Sequence, residues 1–125
     1  MTPKRGSVLI VDDSPIVLEI VREILEERGF EVETTDAPLE CTELVEKIRP
    51  DVLVLDIGMP ELDGPSLLSI IRRNHIHDCP VLLYSDCSRP ELIQTIRASG
   101  ADGGAVKNPG CTELLSVLES LLPAF

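Results

Sequence analysis

Aromatic side chains are nearly missing from this 125-residue chain, which has no tryptophan, one tyrosine (Tyr84) and two phenylalanines (Phe30 and Phe125). A platform that stacks nucleobases, or a groove that stacks sugars, needs more rings than these. Positive charge is also scarce. Lys and Arg number 11 against 22 Asp and Glu, a formal net charge of −11. A field of that sign repels phosphate backbones and anionic lipid, so neither nucleic acid nor a membrane surface is expected as a direct partner. Long apolar runs are absent: Val8-Leu9-Ile10-Val11 ends at two aspartates, too short for a signal-peptide core or a bilayer span. The cysteines, Cys41, Cys79, Cys87 and Cys111, form no C-x-x-C pair and have no histidine at zinc-ligand spacing. Reduced thiols in a cytoplasmic protein are expected. His75 and His77 fall in a polar stretch that reads as a solvated loop.

What is present is an alternation of short apolar runs with helix-period segments, at a length that suits one domain. Apolar residues are 43% of the chain, enough for a core without disulfides. Val8–Val11, Val52–Leu55 and Val81–Tyr84 are continuous apolar runs, as central strands buried on both faces require. Phe30, Val32 and Thr34 alternate with Glu31 and Glu33, which suits an edge strand. Ala105-Val106 marks a glycine-weakened fifth strand. Between the runs, Ser14-Pro15 opens a helix with Val17, Ile20, Val21, Ile24 and Leu25 on one face, ended by Gly29. Leu39 to Ile48 carries Cys41, Leu44, Val45 and Ile48 as a stripe, and Pro65 to Arg73 follows an Asp63-Gly64 turn. Ser88-Arg89-Pro90-Glu91 has the capping-box pattern and opens a helix with Leu92, Ile93 and Ile96 that stops at Gly100. Thr112 to Leu122 is the last helix, with Leu114, Leu115, Leu118, Leu121 and Leu122 as its apolar face. Right-handed crossovers then give an α/β fold: a doubly wound, flavodoxin-like parallel sheet of five strands in order 2-1-3-4-5, with five helices on both faces.

The polar residues that close these runs carry the chemistry. Asp12-Asp13 follows the first run, Asp56 the third strand, Ser85 the fourth and Lys107 the fifth. In a parallel sheet these endings share one edge, where open α/β sheets bind ligands. Strands one and three are then neighbours roughly 5 Å apart, so Asp12, Asp13 and Asp56 converge. Carboxylates so placed repel one another and hold raised pKa values unless a cation is present; oxygen ligands suit Mg²⁺ or Mn²⁺. Lys107 starts roughly 10 Å away, a gap its side chain largely closes. An ammonium and a hydroxyl beside a metal-bound carboxylate form a phosphoryl-binding arrangement, with Asp56 placed to attack phosphorus. Any one strand-end polar residue is most simply solvated; an Asp pair, an Asp, a Ser and a Lys at four of five strand ends are not.

With V-L-I-V-D-D-S at 8–14, D-I-G-M-P-E-L-D-G at 56–64, Ser85, G-A-D at 100–102 and Lys107, the chain resembles the receiver (CheY-like) domain of bacterial two-component response regulators. The resemblance spans residues 7–122, with 1–6 and 123–125 as tails. It implies that Asp56 is a phosphoacceptor served by a sensor histidine kinase or phosphotransfer protein. It also implies that Asp13, Asp56 and the Gly58 backbone carbonyl ligate Mg²⁺ directly, and Asp12 through water. Ser85 and Lys107 would bind the phosphoryl group, and a downstream protein target would be switched through the helix 4, strand 5 and helix 5 face. No catalytic turnover beyond self-catalysed phosphotransfer and dephosphorylation is implied. A monomer or weak dimer is expected, either standing alone or excised from a longer protein, with output through another protein.

Four features depart from the family pattern. The usual switch aromatic on strand five is Gly104. The usually very small residue after Ser85 is Asp86, whose charge crowds or repels an incoming donor. The lysine is followed by Asn108-Pro109 rather than directly by proline, which leaves a trans loop or a cis bond moved to Asn108-Pro109 as alternatives. Gly58 and Cys87 flank the phosphoryl site without an acid or amide to orient water, so slow self-hydrolysis is expected. These departures motivate a second reading, a phosphorylation-independent interaction module. An aspartate-nucleophile phosphatase is disfavoured, because neither Asp12-Asp13-Ser14 nor Asp56-Ile57-Gly58 has the D-x-D spacing, and a nucleotide hydrolase more so, because no G-x-x-x-x-G-K-[ST] loop is present.

Overall fold

The computed structural model describes residues 5–122. The strands are β1 Gly6–Val11, β2 Phe30–Thr35, β3 Val52–Asp56, β4 Val81–Ser85 and β5 Gly103–Val106. The helices are α1 Pro15–Glu27, α2 Cys41–Ile48, α3 Gly64–Arg73, α4 Arg89–Ser99 and α5 Thr112–Leu121; single 3₁₀ turns at Pro38–Glu40 and Pro109–Cys111 precede α2 and α5. All strand pairs are parallel, in the order β2-β1-β3-β4-β5. The expected topology is the observed one. β1 starts at Gly6, inside the stretch assigned to the N-terminal tail; residues 1–4 and 123–125 lie outside the described residues. Among the described residues, no helix is long and apolar enough to cross a membrane.

Alternation along the strands splits the core in two. Val8, Ile10, Val52, Val54, Leu82, Tyr84 and Ala105 pack with Leu18, Val21 and Leu25 of α1 and Leu114, Leu115 and Leu118 of α5. Leu9, Val11, Leu53, Leu55, Val81 and Leu83 pack with α2, α3 and Leu92 of α4 on the other face. Three helices begin just past the carboxyl end of a strand. Their N-caps, Ser14, Asp63 and Ser88, accept from the backbone N–H of Val17, Ser66 and Glu91, each with proline in the first turn. These caps end the loops that carry the polar strand-end residues.

Four side-chain expectations are corrected. Ile20 is 51% exposed, and Leu18 takes the buried position on α1. At roughly 100° per residue, Leu18, Val21 and Leu25 set the centre of the face, and Ile20 falls on the far side. Ile93 and Leu121 are exposed at the margins of their helices. His77 is half-buried rather than solvated: its Nε2 lies 2.7 Å from the Pro50 carbonyl oxygen, and its Nδ1 is buried without a partner.

At the amino ends of the strands, carboxylates serve the backbone. Asp51 Oδ2 accepts from Ser7 N at 2.9 Å, joining the starts of β1 and β3. Asp102 Oδ2 accepts from Val81 N at 2.8 Å and from Arg72 at 2.7 Å, joining β4, β5 and the end of α3.

Gly64 sets the backbone on which the site rests. A Cβ there would lie 2.5 Å from the Asp56 carbonyl oxygen, whereas one on Gly58 would meet nothing within 4 Å. Gly64→Ala is therefore expected to destabilise the fold by about 1–3 kcal/mol through overpacking against main chain. Gly58→Ala should not lower stability and can raise it by up to ~1 kcal/mol, by restricting the unfolded chain. Urea denaturation of the two variants checks the contrast.

Candidate functional site

The ladder brings the carboxyl ends of the strands to one level. Val11 pairs with Leu55, Asp56 with Tyr84, and Ser85 with Val106. Asp12 and Asp13 continue from β1, Asp56 closes β3, Ser85 closes β4, and Lys107 follows β5. Asp12, Asp13 and Asp56 each offer a carboxylate oxygen, and these oxygens lie within 4.8 Å of one another. Asp12 is 1% exposed and Asp56 is buried, while Asp13 faces solvent.

Lys107 reaches this cluster as the sequence spacing implies. Its Nζ donates to Asp12 Oδ2 at 2.8 Å and to Asp56 Oδ1 at 3.3 Å. The other oxygen of Asp12, Oδ1, accepts from Ser14 N at 3.0 Å, so this buried side chain is satisfied on both sides. Burial, reinforced by the charge on Asp12, pushes the Asp56 carboxyl above the usual carboxylate value; Lys107 and the Gly58 backbone oppose the rise. For Lys107, burial works to lower the ammonium pKa. The hydrogen bond and charge of Asp12, with help from Asp56, more than reverse this, so it lies above its ordinary value.

The donor set fits a hard divalent cation. Three carboxylates face one ammonium, which leaves two negative charges to be balanced. The ligand atoms are all oxygen, and exposed Asp13 gives water access, as Mg²⁺ prefers. Asp12, Asp13 and Asp56 are the residues that would hold the ion, and it would supply charge neutralisation for incoming phosphoryl oxygens.

The remaining expected residues surround this centre. Ser85 is buried, and its Oγ accepts from Cys87 N at 3.1 Å, so it is held by its own turn and makes no hydrogen bond to the acidic cluster. Cys87 packs partly buried against the α2–α3–α4 side of the core, and Asp86 is exposed. At Gly104 a Cβ would lie 2.7 Å from the Leu83 carbonyl oxygen, 3.0 Å from Ile96 Cδ1 and 3.1 Å from Leu92 Cδ1. The space where an aromatic would start is occupied by α4 and by main chain. All peptide bonds among the described residues are trans, Asn108-Pro109 included. Asn108 instead serves α5: its Nδ2 donates to Thr112 Oγ1, and its Oδ1 accepts from Glu113 N at 3.4 Å.

Two arrangements were not foreseen from the sequence. Lys107 Nζ lies 5.5 Å from the centroid of the Tyr84 ring, whose hydroxyl donates to Cys111 Sγ at 3.6 Å. Register parity held the signal: Tyr84 pairs with Ala105, and Lys107 lies two residues further on, on the same face. Arg89 and Glu113 form a two-pronged ion pair, 2.8 Å in each arm, joining the first turns of α4 and α5. No sequence pattern links residues so far apart.

A family model described as the response regulator receiver domain matches residues 8–119. The chain belongs to that family. Among curated proteins, this receiver is 33% identical over 115 residues to the transcriptional regulatory protein TrcR of Mycobacterium tuberculosis, covering 92% of this chain and 44% of TrcR. It is also 33% identical over 119 residues to a protein-glutamate methylesterase/protein-glutamine glutaminase of Archaeoglobus fulgidus, covering 92% of this chain and 34% of that protein. The chain thus spans less than half the length of these two relatives. Among solved structures, the Vibrio cholerae chemotaxis protein CheY4 superposes with a TM-score of 0.83 at 31% identity, over 97% of this chain and all of the other. The receiver domain of the Francisella response regulator 1452 gives 0.82 at 30% identity, over 94% and 96%.

Because the folded-state pKa of Asp56 is raised, the receiver disfavours its charged form. Stability from this group therefore falls as pH rises from the ordinary carboxylate value through the raised one. Without divalent ions at pH 7, Asp56→Asn is expected to raise Tm by about 3–6 °C, which corresponds to ~1 kcal/mol in a domain of this size. Excess Mg²⁺ should raise the Tm of the wild type and much less that of Asp56→Asn or Asp13→Asn. The wild-type gain should fade as pH drops through the raised Asp56 value. Thermal scans with and without Mg²⁺ check all three statements.

Proposed function

We propose that this receiver accepts a phosphoryl group on Asp56 from a phosphohistidine of a sensor histidine kinase or phosphotransfer protein. The observation that carries the reading is the Asp56 carboxylate at the end of β3, within reach of Lys107 and grouped with Asp12 and Asp13. An Asp56 carboxylate oxygen attacks phosphorus. The O–P bond forms as the N–P bond of the phosphohistidine breaks, and the electron pair stays on the departing imidazole nitrogen. Lys107 neutralises developing charge on the phosphoryl oxygens, and Ser85 hydrogen-bonds one of them once its Oγ leaves the Cys87 N–H. Asp13, Asp56 and the Gly58 carbonyl would hold Mg²⁺ directly, and Asp12 would hold it through water. Output runs to a downstream protein through the α4–β5–α5 face, whether the chain acts alone or within a longer protein.

Acetyl phosphate with Mg²⁺ should add the mass of one phosphoryl group to the wild type and none to Asp56→Asn. Absence of the adduct in the wild type, with partner binding preserved in Asp56→Asn, would instead establish the phosphorylation-independent module.

The open space at Gly58 and the thiol of Cys87 leave no side chain suited to orienting a hydrolytic water on the phosphoryl group. The aspartyl phosphate is therefore expected to be long-lived. Gly58→Asn, which has room for its side chain, should shorten the lifetime several-fold without reducing stability. Decay of the phosphorylated mass after removal of donor measures it.

A further inference from the structure

We infer that phosphorylation of Asp56 is signalled to the first turn of α5 through Lys107, Tyr84 and Cys111, rather than to α4. The inference rests on the proposed phosphoacceptor role and specifies how that site is read out.

The route toward α4 is obstructed by packing. Position 104 has no side chain to move, and Ile96 and Leu92 of α4 already stand where one would begin. Leu83 and Leu92 are themselves buried, and the Leu83 carbonyl oxygen would lie 2.7 Å from a Cβ at position 104.

The route toward α5 is continuous. Lys107 Nζ is shared between Asp12 and Asp56 while lying within cation–π distance of the Tyr84 ring. A phosphoryl group on Asp56 adds negative oxygens beyond the carboxylate, and charge-assisted bonds to them draw the ammonium outward from Asp12. Tyr84 is 3% exposed and fixed within β4, so its ring stays while its electrostatic partner leaves. Its hydroxyl ends on Cys111 Sγ, a weak acceptor at 3.6 Å. Cys111 is buried and holds a left-handed backbone, φ 53°, immediately before α5. A non-glycine residue in that conformation stores local strain, so a small change in its contacts can move the helix start. Only three residues separate Lys107 from Cys111, so displacement of the lysine also reaches α5 along the main chain. Glu113, two residues further, lies in the first turn of α5 that this displacement reaches.

The chain itself supplies the probe. Tyr84 is its single tyrosine and there is no tryptophan, so tyrosine emission reports this residue alone. The full chain is treated with Mg²⁺ and beryllofluoride, and in parallel with acetyl phosphate, and followed by Tyr84 emission, amide hydrogen exchange and intact mass. The expected result is a change in Tyr84 emission and an altered exchange rate in residues 111–116, by about threefold or more, with residues 92–99 changing less. Cys111→Ala should keep the phosphoryl mass gain and lose the α5 response. Tyr84→Phe, which preserves the ring and removes only the hydroxyl, should lose the α5 response as well. A mass gain accompanied by an exchange response in α4 but not α5 overturns the inference, as does an intact α5 response in both variants. No mass gain and no beryllofluoride response overturns the phosphoacceptor reading and this inference with it.

Discussion

The bond between Lys107 and Asp12, 2.8 Å long, with Asp12 buried and Lys107 partly so, ties the last strand of the sheet to the first across two intervening strands. A buried charge pair of this kind adds little net stability, because desolvating both partners offsets most of their attraction. What it does is fix geometry. With Lys107 on one oxygen and the Ser14 backbone on the other, Asp12 cannot rotate, and its charge is held beside Asp56. Asp12 so held adds to the burial that raises the pKa of Asp56, and the same bond keeps Lys107 within 5.5 Å of the Tyr84 ring centroid.

The two edges of the sheet use the same residue type for opposite purposes. Asp51 and Asp102 give their oxygens to strand-start N–H groups and to Arg72, so their charge is consumed in holding main chain together. Asp12, Asp13 and Asp56 are gathered with a single ammonium between them. The proposed site lies at the edge where carboxylates outnumber their partners, because charge is left there for a ligand to balance.

The sheet order, the strand ends and the capped starts of α1 and α4 were legible because each rests on a local pattern: continuous apolar runs, serine shortly before proline, and a polar residue after each run; Asp63 read as part of a turn and caps α3. Asp12, Asp13, Asp56 and Lys107 came together as strand parity and order require. What was not legible depends on residues remote in the chain. Ile20 reads as core by spacing alone, until Leu18 fixes which way α1 turns. His77 reads as solvated until the Pro50 carbonyl meets it. The Arg89–Glu113 pair requires two helix starts to be neighbours, which only the assembled sheet decides. The contact of Tyr84 with Lys107 depends on how a long side chain crosses the sheet edge.

The packing around Gly104 also bears on how this receiver can change by mutation. The nearest obstacle to any side chain at that position is the carbonyl oxygen of Leu83, and no substitution can shorten main chain. Trimming Ile96 and Leu92 would clear the α4 side yet leave that obstacle in place. An aromatic at 104 is therefore beyond a single replacement, or even three, unless β5 itself shifts against β4. Substitution of α4 side chains alone therefore cannot open this position, and the bare strand fixes how closely α4 lies on β5.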